Sequence, residues 1–204
     1  MSMNEAVRTA LRQGVADLMA RYETEPVHVF HVRDLGVTLF DDLAADHGLD
    51  SADRAILDAA CCLHDIGWAV TQPDGKSHHK ESARLIREYA WTGVPRPVVE
   101  RVALVARYHR KAIPSEADHD DFARQALDDR RRVRWLAGLL RVADGLDRRH
   151  IQAVETAWAM RSGKTLRIRL NGVDGLEAEI LGARKKADLL EEVSGCEVVV
   201  GEGV

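Results

Sequence analysis

Histidines and aspartates stand on helical stripes that otherwise carry only aliphatic and small side chains, and nothing else in the sequence constrains the fold as much. The run AILDAACCL, which a helix would bury, ends in His64 and Asp65, and Gly67 closes it within CCLHDIGW, residues 61–68. A titratable pair at the buried end of an apolar helix is costly unless something binds it. Imidazole nitrogen and carboxylate oxygen are both ligands for first-row divalent metals. Adjacent helical residues point about 100° apart, so the pair can share one ion only near a helix end, or serve two neighbouring ions. A His-Asp dipeptide alone carries little weight, because short motifs recur by chance. The weight comes from the rest of the chain.

Val7, Leu11, Val15, Leu18 and Met19 form a helical stripe over 3–22 that ends before Thr24 and Pro26. Pro26 suits the first turn of a second helix, about 26–46, with the stripe His28, Val32, Leu35, Leu39 and Leu43. His28 therefore points inward, and His31 lies one turn on. Ser51 is a good N-cap for the third helix, which delivers His64 from an apolar face. The loop 68–77 contains a Pro-Asp-Gly turn, and Ser77 is placed to cap a helix over roughly 78–90 with His78 and His79 in its first turn. Val98, Val102 and Val105 lead to His109 on a fifth helix, which Pro114 stops. Residues 115–129 are acidic and polar, with one short exposed helix expected. The next long helix, about 129–147, carries Asp144 in line with Val133, Ala137 and Leu140, and a buried aspartate needs a partner.

Near residue 151 the period changes to alternation. Val154–Met160 and Leu166–Leu170 read as strands around a Ser162-Gly163 turn, and LEAEIL reads as a third. ARKKADLLEEVSG reads as a helix and CEVVV as a last strand. The expected architecture is mostly α: a helical domain over 1–150 and a small α+β extension over 151–204, of three strands, a helix and a strand.

With 204 residues and 46% hydrophobic content the chain can bury a substantial core, and a net charge of −4 argues against nucleic-acid binding. No apolar run approaches the length of a membrane span, and the N-terminus shows no signal-peptide core. Cys61, Cys62 and Cys196 are too few for a disulfide framework and read as core residues of a reducing cytoplasm. Five helices thus bring ligand-type side chains towards the core: His28; His64 with Asp65; His78 or His79; His109; Asp144. Any one of them alone would be an ordinary hydrogen-bonded buried group. Together, four imidazoles and two carboxylates suit two metal ions with positions left for water and substrate, whereas a structural zinc site would use more cysteine.

Six strings in order, HVFHVRDLGVTLFDDL, AACCLHDIGW, HHKESARLI, ARYHRKAIP, RRVRWLAGLLRVADGLDRRH and ARKKADLLEEV, cover roughly residues 25–195. The chain resembles the HD superfamily of metal-dependent phosphohydrolases, and most nearly the C-terminal HD-like region of the exopolyphosphatase and guanosine-pentaphosphate phosphohydrolase family. The resemblance implies an HD-type helical bundle. It implies His28 rather than His31 as the first ligand, His78 rather than His79, Asp65 bridging two metals, and Asp144 as a ligand. His31 and His79 would stand behind the ligands, and Asp147 would lie on the helix surface. That family's N-terminal actin-like half, which carries its polyphosphate site, has no counterpart here, so activity is expected from the HD site. Glu81 stands where the family has a histidine, and Trp68 where many HD hydrolases have a lysine.

Arg110 and Lys111, which follow His109, are candidates to hold phosphate beside the catalytic Asp65, as is Lys80. Arg130, Arg131, Arg132 and Arg134 form a denser run, read first as a solvated face. The expected activity is hydrolysis of a phosphate ester or anhydride, on a phosphorylated, nucleotide-like small molecule. One or two divalent ions (Mn, Fe, Mg or Zn) would supply a metal-bound hydroxide. Two rival readings are a non-catalytic HD-type binding or dimerisation module and a di-iron oxygenase on the same ligands. The apolar Trp158, Met160 and sheet edge suggest a homodimer.

Overall fold

The computed structural model describes residues 3–71, 75–173 and 175–203. It is mostly helical, with a small C-terminal α+β extension. The helices are α1 (Glu5–Tyr22), α2 (Pro26–Asp42), α3 (Ala44–His47), α4 (Ser51–Leu63), α5 (His78–Glu88), α6 (Arg96–Arg107), α7 (Asp120–Ala123) and α8 (Leu127–Leu146). A 3₁₀ turn, Ile66–Val70, follows the His-Asp pair. After α8 come β1 (Val154–Ser162), β2 (Thr165–Gly172), α9 (Glu177–Lys185), α10 (Asp188–Ser194) and β3 (Glu197–Glu202).

Local chemistry explains most boundaries. The Asn4 side chain accepts from the Val7 amide at 3.0 Å and starts α1. Asp50, one residue before the expected cap Ser51, forms a capping box with Asp53 at the start of α4. Ser77 sits at the N-cap of α5 but makes no side-chain capping bond. The Pro-Asp-Gly turn falls on residues 73–75, of which only Gly75 is among those described. Among the described residues no helix is long and apolar enough to cross a membrane.

The core is a continuous packing of α1, α2, α4, α6 and α8, with Leu18, Leu39, Ile56, Leu57, Leu63 and Leu136 fully buried. The extension continues this core: α9 and α10 pack on α8, and β1 packs on α2. The sheet has the order β1-β2-β3, with β1 and β2 antiparallel and β2 and β3 parallel. The parallel pairing needs a crossover, which α9 and α10 provide.

The third strand expected at LEAEIL is therefore helix α9, and the extension has two strands, two helices and a strand. Its alternation is accidental. Glu179, which a half-exposed strand would show to water, is fully buried and paired with Arg149 at 2.7 Å. Glycines let α9 lie directly on α8. A Cβ at Gly145 would come within 2.6 Å of the Ala183 Cα, and one at Gly182 within 2.5 Å of the Gly145 carbonyl oxygen. That contact brings the end of α9, with Lys185 and Lys186, to the mouth of the cleft described next.

Candidate metal centre

Four imidazoles meet where α2, α4, α5 and α6 begin or end. His28 lies in the first turn of α2, His64 is the C-cap of α4, His78 opens α5, and His109 lies just past the end of α6. All four are buried to 2% exposure or less. Each fixes its tautomer the same way, by giving the Nδ1 proton to a fixed acceptor. His64 Nδ1 donates to the Cys61 carbonyl at 2.7 Å, His78 Nδ1 to Gly75 at 2.8 Å, and His109 Nδ1 to Ala106 at 2.7 Å. His28 Nδ1 donates to Asp147 Oδ2 at 2.8 Å.

The four Nε2 atoms then face one another. The Nε2 atoms of His78 and His109 are 3.3 Å apart. With both Nδ1 protons engaged, two nitrogen lone pairs oppose each other at that distance, an arrangement that a cation between them would stabilise. The Nε2 atoms of His28 and His64, and Oδ1 of Asp65, are buried without a hydrogen-bond partner. Buried polar atoms are normally paired.

The carboxylates lie between the imidazoles. Asp65 Oδ1 is 3.2 Å from His78 Nε2 and 3.5 Å from His109 Nε2, and its Oδ2 is 3.7 Å from His64 Nε2. Asp144 Oδ1 is 3.6 Å from His28 Nε2 and 4.0 Å from His64 Nε2. Two groups of ligand atoms, each close enough to hold an ion, share Asp65: His28, His64 and Asp65, then Asp65, His78 and His109. Asp144 borders the first. This donor set of nitrogens and carboxylate oxygens fits one or two divalent ions of the first row.

Electrostatics follow from this crowding. Burial opposes ionisation of Asp65, but His64, His78 and His109 outweigh it and hold the carboxyl well below its usual range. Burial acts on Asp144 in the same way, and Lys186 and His28 override it. His28 is pushed up to about 9, because the neighbouring carboxylates of Asp144 and Asp147 outweigh its burial. Burial, with His64 next, pushes His109 well down.

Above the imidazoles opens a cleft of about 470 Å³, walled by Asp65, Trp68, His78, His109 and Asp144 and rimmed by charge. Arg110, Lys111, Arg148, Lys185 and Lys186 face Glu23 and Glu25 across it. Arg110 reaches to 3.3 Å from the His78 ring nitrogens. Trp68 stacks on His78 with ring centroids 4.3 Å apart. Lys186 is ion-paired with Asp144 Oδ2.

The structure therefore brings His28, His64, Asp65, His78, His109 and Asp144 together and puts Arg110 and Lys111 on the rim. His31 and His79 stand apart. Neither makes a hydrogen bond to a candidate ligand, and His31 Nε2 and His79 Nδ1 are buried without partners. The residue behind the ligands is instead Asp147, expected on the surface but fully buried, holding His28 and the Gln152 amide. Its signal was available, since Asp144 and Asp147 are three apart and share a helix face. His150, in a left-handed conformation with φ 57°, stacks on His28 at 3.7 Å and was not foreseen. Nor was Lys186, which comes from the C-terminal extension.

The arginine run holds structure rather than ligand. Arg130 pairs with Glu116, Arg132 with Asp53, and Arg134 with Glu192, while Arg131 donates to the His47 carbonyl.

A buried histidine-aspartate cluster under a cationic cleft offers donor atoms that could hold a metal ion. The chain matches the family Ppx/GppA phosphatase, domain III, over residues 11–189, and belongs to that family. No curated protein matches it.

Proposed function

We propose that this chain is an HD-type, metal-dependent phosphohydrolase that cleaves a phosphate ester or anhydride of a nucleotide-like compound. The observation that carries the reading is the convergence of four tautomer-fixed imidazoles on two carboxylates, with the His78 and His109 Nε2 atoms opposed at 3.3 Å. His28, His64, Asp65 and Asp144 would hold one divalent ion, and Asp65, His78 and His109 a second. When bound, such ions polarise phosphoryl oxygens and lower the pKa of water. The protein's own side chains do the rest. Arg110, Lys111 and Lys186 hold and neutralise the phosphoryl group, as cations aimed at developing charge do. Asp147 keeps the lone pair of His28 Nε2 inward by fixing the Nδ1 proton. Trp68, stacked on His78, shields that ring from water. The family's phosphatase character supports the reaction class.

The test is Asp65→Ala, assayed on nucleoside mono-, di- and triphosphates and an aryl phosphate with Mn, Fe, Mg and Zn in turn. Loss of the shared carboxylate is expected to lower the rate by roughly a thousandfold or more, since such electrostatic terms are worth several kcal/mol. Activity that survives the substitution would refute the assignment. A folded wild-type protein that is inactive with every metal would be a binding module instead.

A further inference from the structure

Ser82 stands one turn past His78 on α5 and is fully buried. A serine inside a helix commonly turns its hydroxyl back to the carbonyl four residues earlier, here that of His78. The Ser82 hydroxyl leaves its own helix instead. It donates to the His64 carbonyl at 2.6 Å and accepts from the Gly67 amide at 2.9 Å. These two partners flank Asp65: His64 is the C-cap of α4, and Gly67 belongs to the 3₁₀ turn that follows. Helix ends leave such groups without helical partners. One hydroxyl therefore closes the break in the backbone at the His-Asp pair.

The turn also lies hard against α5. A Cβ on Gly67 would meet the His78 carbonyl oxygen and the Ser82 amide, so the two backbones touch there. The contact brings them together, and the hydroxyl fixes where along α5 the turn sits. His64 and Asp65 are thereby tied to the helix that carries His78. That tie bears on both groups of candidate ligand atoms. His64 belongs to one, His78 to the other, and Asp65 to both. Asp65 Oδ1 is 3.2 Å from His78 Nε2, while its Oδ2 is 3.7 Å from His64 Nε2.

We infer that Ser82 is a positioning residue that sets the spacing of the two ligand groups, so that one carboxylate can serve both. The inference rests on the metal centre proposed above. Ser82 acts through the backbone on either side of Asp65 and touches no substrate. The ion between Asp65 and His78 depends on it most, because its ligands come from the two segments that the hydroxyl joins. His28 and His64 keep their own acceptors, Asp147 and the Cys61 carbonyl, whatever α5 does.

The experiment is manganese binding to the full chain, followed by electron paramagnetic resonance, in wild type, Ser82→Ala and Ala83→Gly. Ala83 is the next residue of α5, fully buried and outside the cluster, so its substitution loosens the same helix and leaves the hydroxyl in place. In wild type, two ions sharing a carboxylate give an exchange-coupled spectrum. Ser82→Ala is expected to bind the second ion at least tenfold more weakly, as loss of a support behind metal ligands does. It should lose the coupled signal while keeping the first ion. Thermal melts of chelated protein rank the variants for stability, and Ala83→Gly should lose melting temperature yet keep the coupled spectrum. If Ser82→Ala does not fold, Ser82→Cys, with a weaker donor and acceptor, carries the comparison. A Ser82 variant with wild-type affinity and spectrum overturns the inference, and so does an equal loss in Ala83→Gly. Wild-type protein that binds both ions and hydrolyses nothing sinks the hydrolase reading alone. Wild-type protein that binds no manganese sinks both.

Discussion

Asp147→Ala tests whether the buried aspartate behind His28 organises the metal centre. The carboxylate accepts from His28 Nδ1 at 2.8 Å and from the Gln152 amide at 2.8 Å, and it is fully buried. Removing it strands the buried His28 donor and leaves the half-buried Gln152 without its acceptor. A hydrogen bond to a charged group is worth about 1.5–3 kcal/mol, so the metal-free protein is expected to lose stability of that order. Metal affinity has a separate cause. Without its acceptor, the His28 ring can turn and adopt the other tautomer, and loss of such supports typically costs about 10–100-fold in affinity. Asp147→Asn keeps an acceptor oxygen and should retain most of both. The measurements are urea unfolding of chelated protein and manganese affinity by chelator competition. Full manganese affinity in Asp147→Ala, alongside its loss in His28→Ala, would show that Asp147 is structural only.

Three other outcomes follow from the geometry. A Cβ on Gly67 would lie 2.1 Å from the His78 carbonyl oxygen and 2.6 Å from the Ser82 amide. Gly67→Ala should therefore push α5 outward, cost about 1–3 kcal/mol as overpacking does, and weaken the second ion on a two-site titration more than the first. Lys186→Met frees Asp144 Oδ2 and should tighten metal binding by up to roughly tenfold, about 1.4 kcal/mol, while raising KM for a phosphorylated substrate; unchanged values of both would remove Lys186 from the site. Finally, His28 at about 9 is protonated at neutral pH in chelated protein. Its folded value lies above the ordinary one, so its stabilisation is complete below about pH 6.5 and fades as pH rises through 9. A metal must displace that proton. Calorimetry in buffers of different ionisation heat should find about one proton released for the first ion at pH 7.5, falling above pH 9, and no release would contradict the assignment.

The helical part was legible because its stripes are regular and their breaks are chemical. Pro26 and Pro95 with Pro97 stand at the starts of α2 and α6, whereas α6 ends at Arg107, well before Pro114, which was expected to stop it. The extension was less so. LEAEIL alternates well enough to pass for a strand, and only tertiary contact decides against it. Arg149 neutralises Glu179 from outside the segment, and the Gly145–Gly182 approach rewards a helix lying on α8. Neither partner is local, so no window of sequence around residue 178 contains the answer. Lys186 was lost for the same reason, since its place at Asp144 depends on how α9 crosses α8.

The candidate ligands were legible for a reason that lies in helix ends. His64 and His109 stand at or just past the C-termini of α4 and α6, where the last carbonyls of a helix have no amide to accept from. Each ring gives its Nδ1 proton to the carbonyl three residues back, Cys61 for His64 and Ala106 for His109, and His78 does the same to Gly75. For His64 and His109 that bond lies at a helix end, and in all three rings it turns Nε2 inward. An apolar stripe ending in histidine is therefore a stronger signal than a histidine in the middle of one. His47 shows the converse. It is equally buried, but both its nitrogens are used, Nε2 by the Phe40 carbonyl at 2.9 Å and Nδ1 by the Leu49 amide at 2.8 Å. What separates the candidate ligands from His47 is an unspent nitrogen that faces the carboxylates; His31 and His79 also leave one nitrogen unpaired, but neither joins the groups that share Asp65.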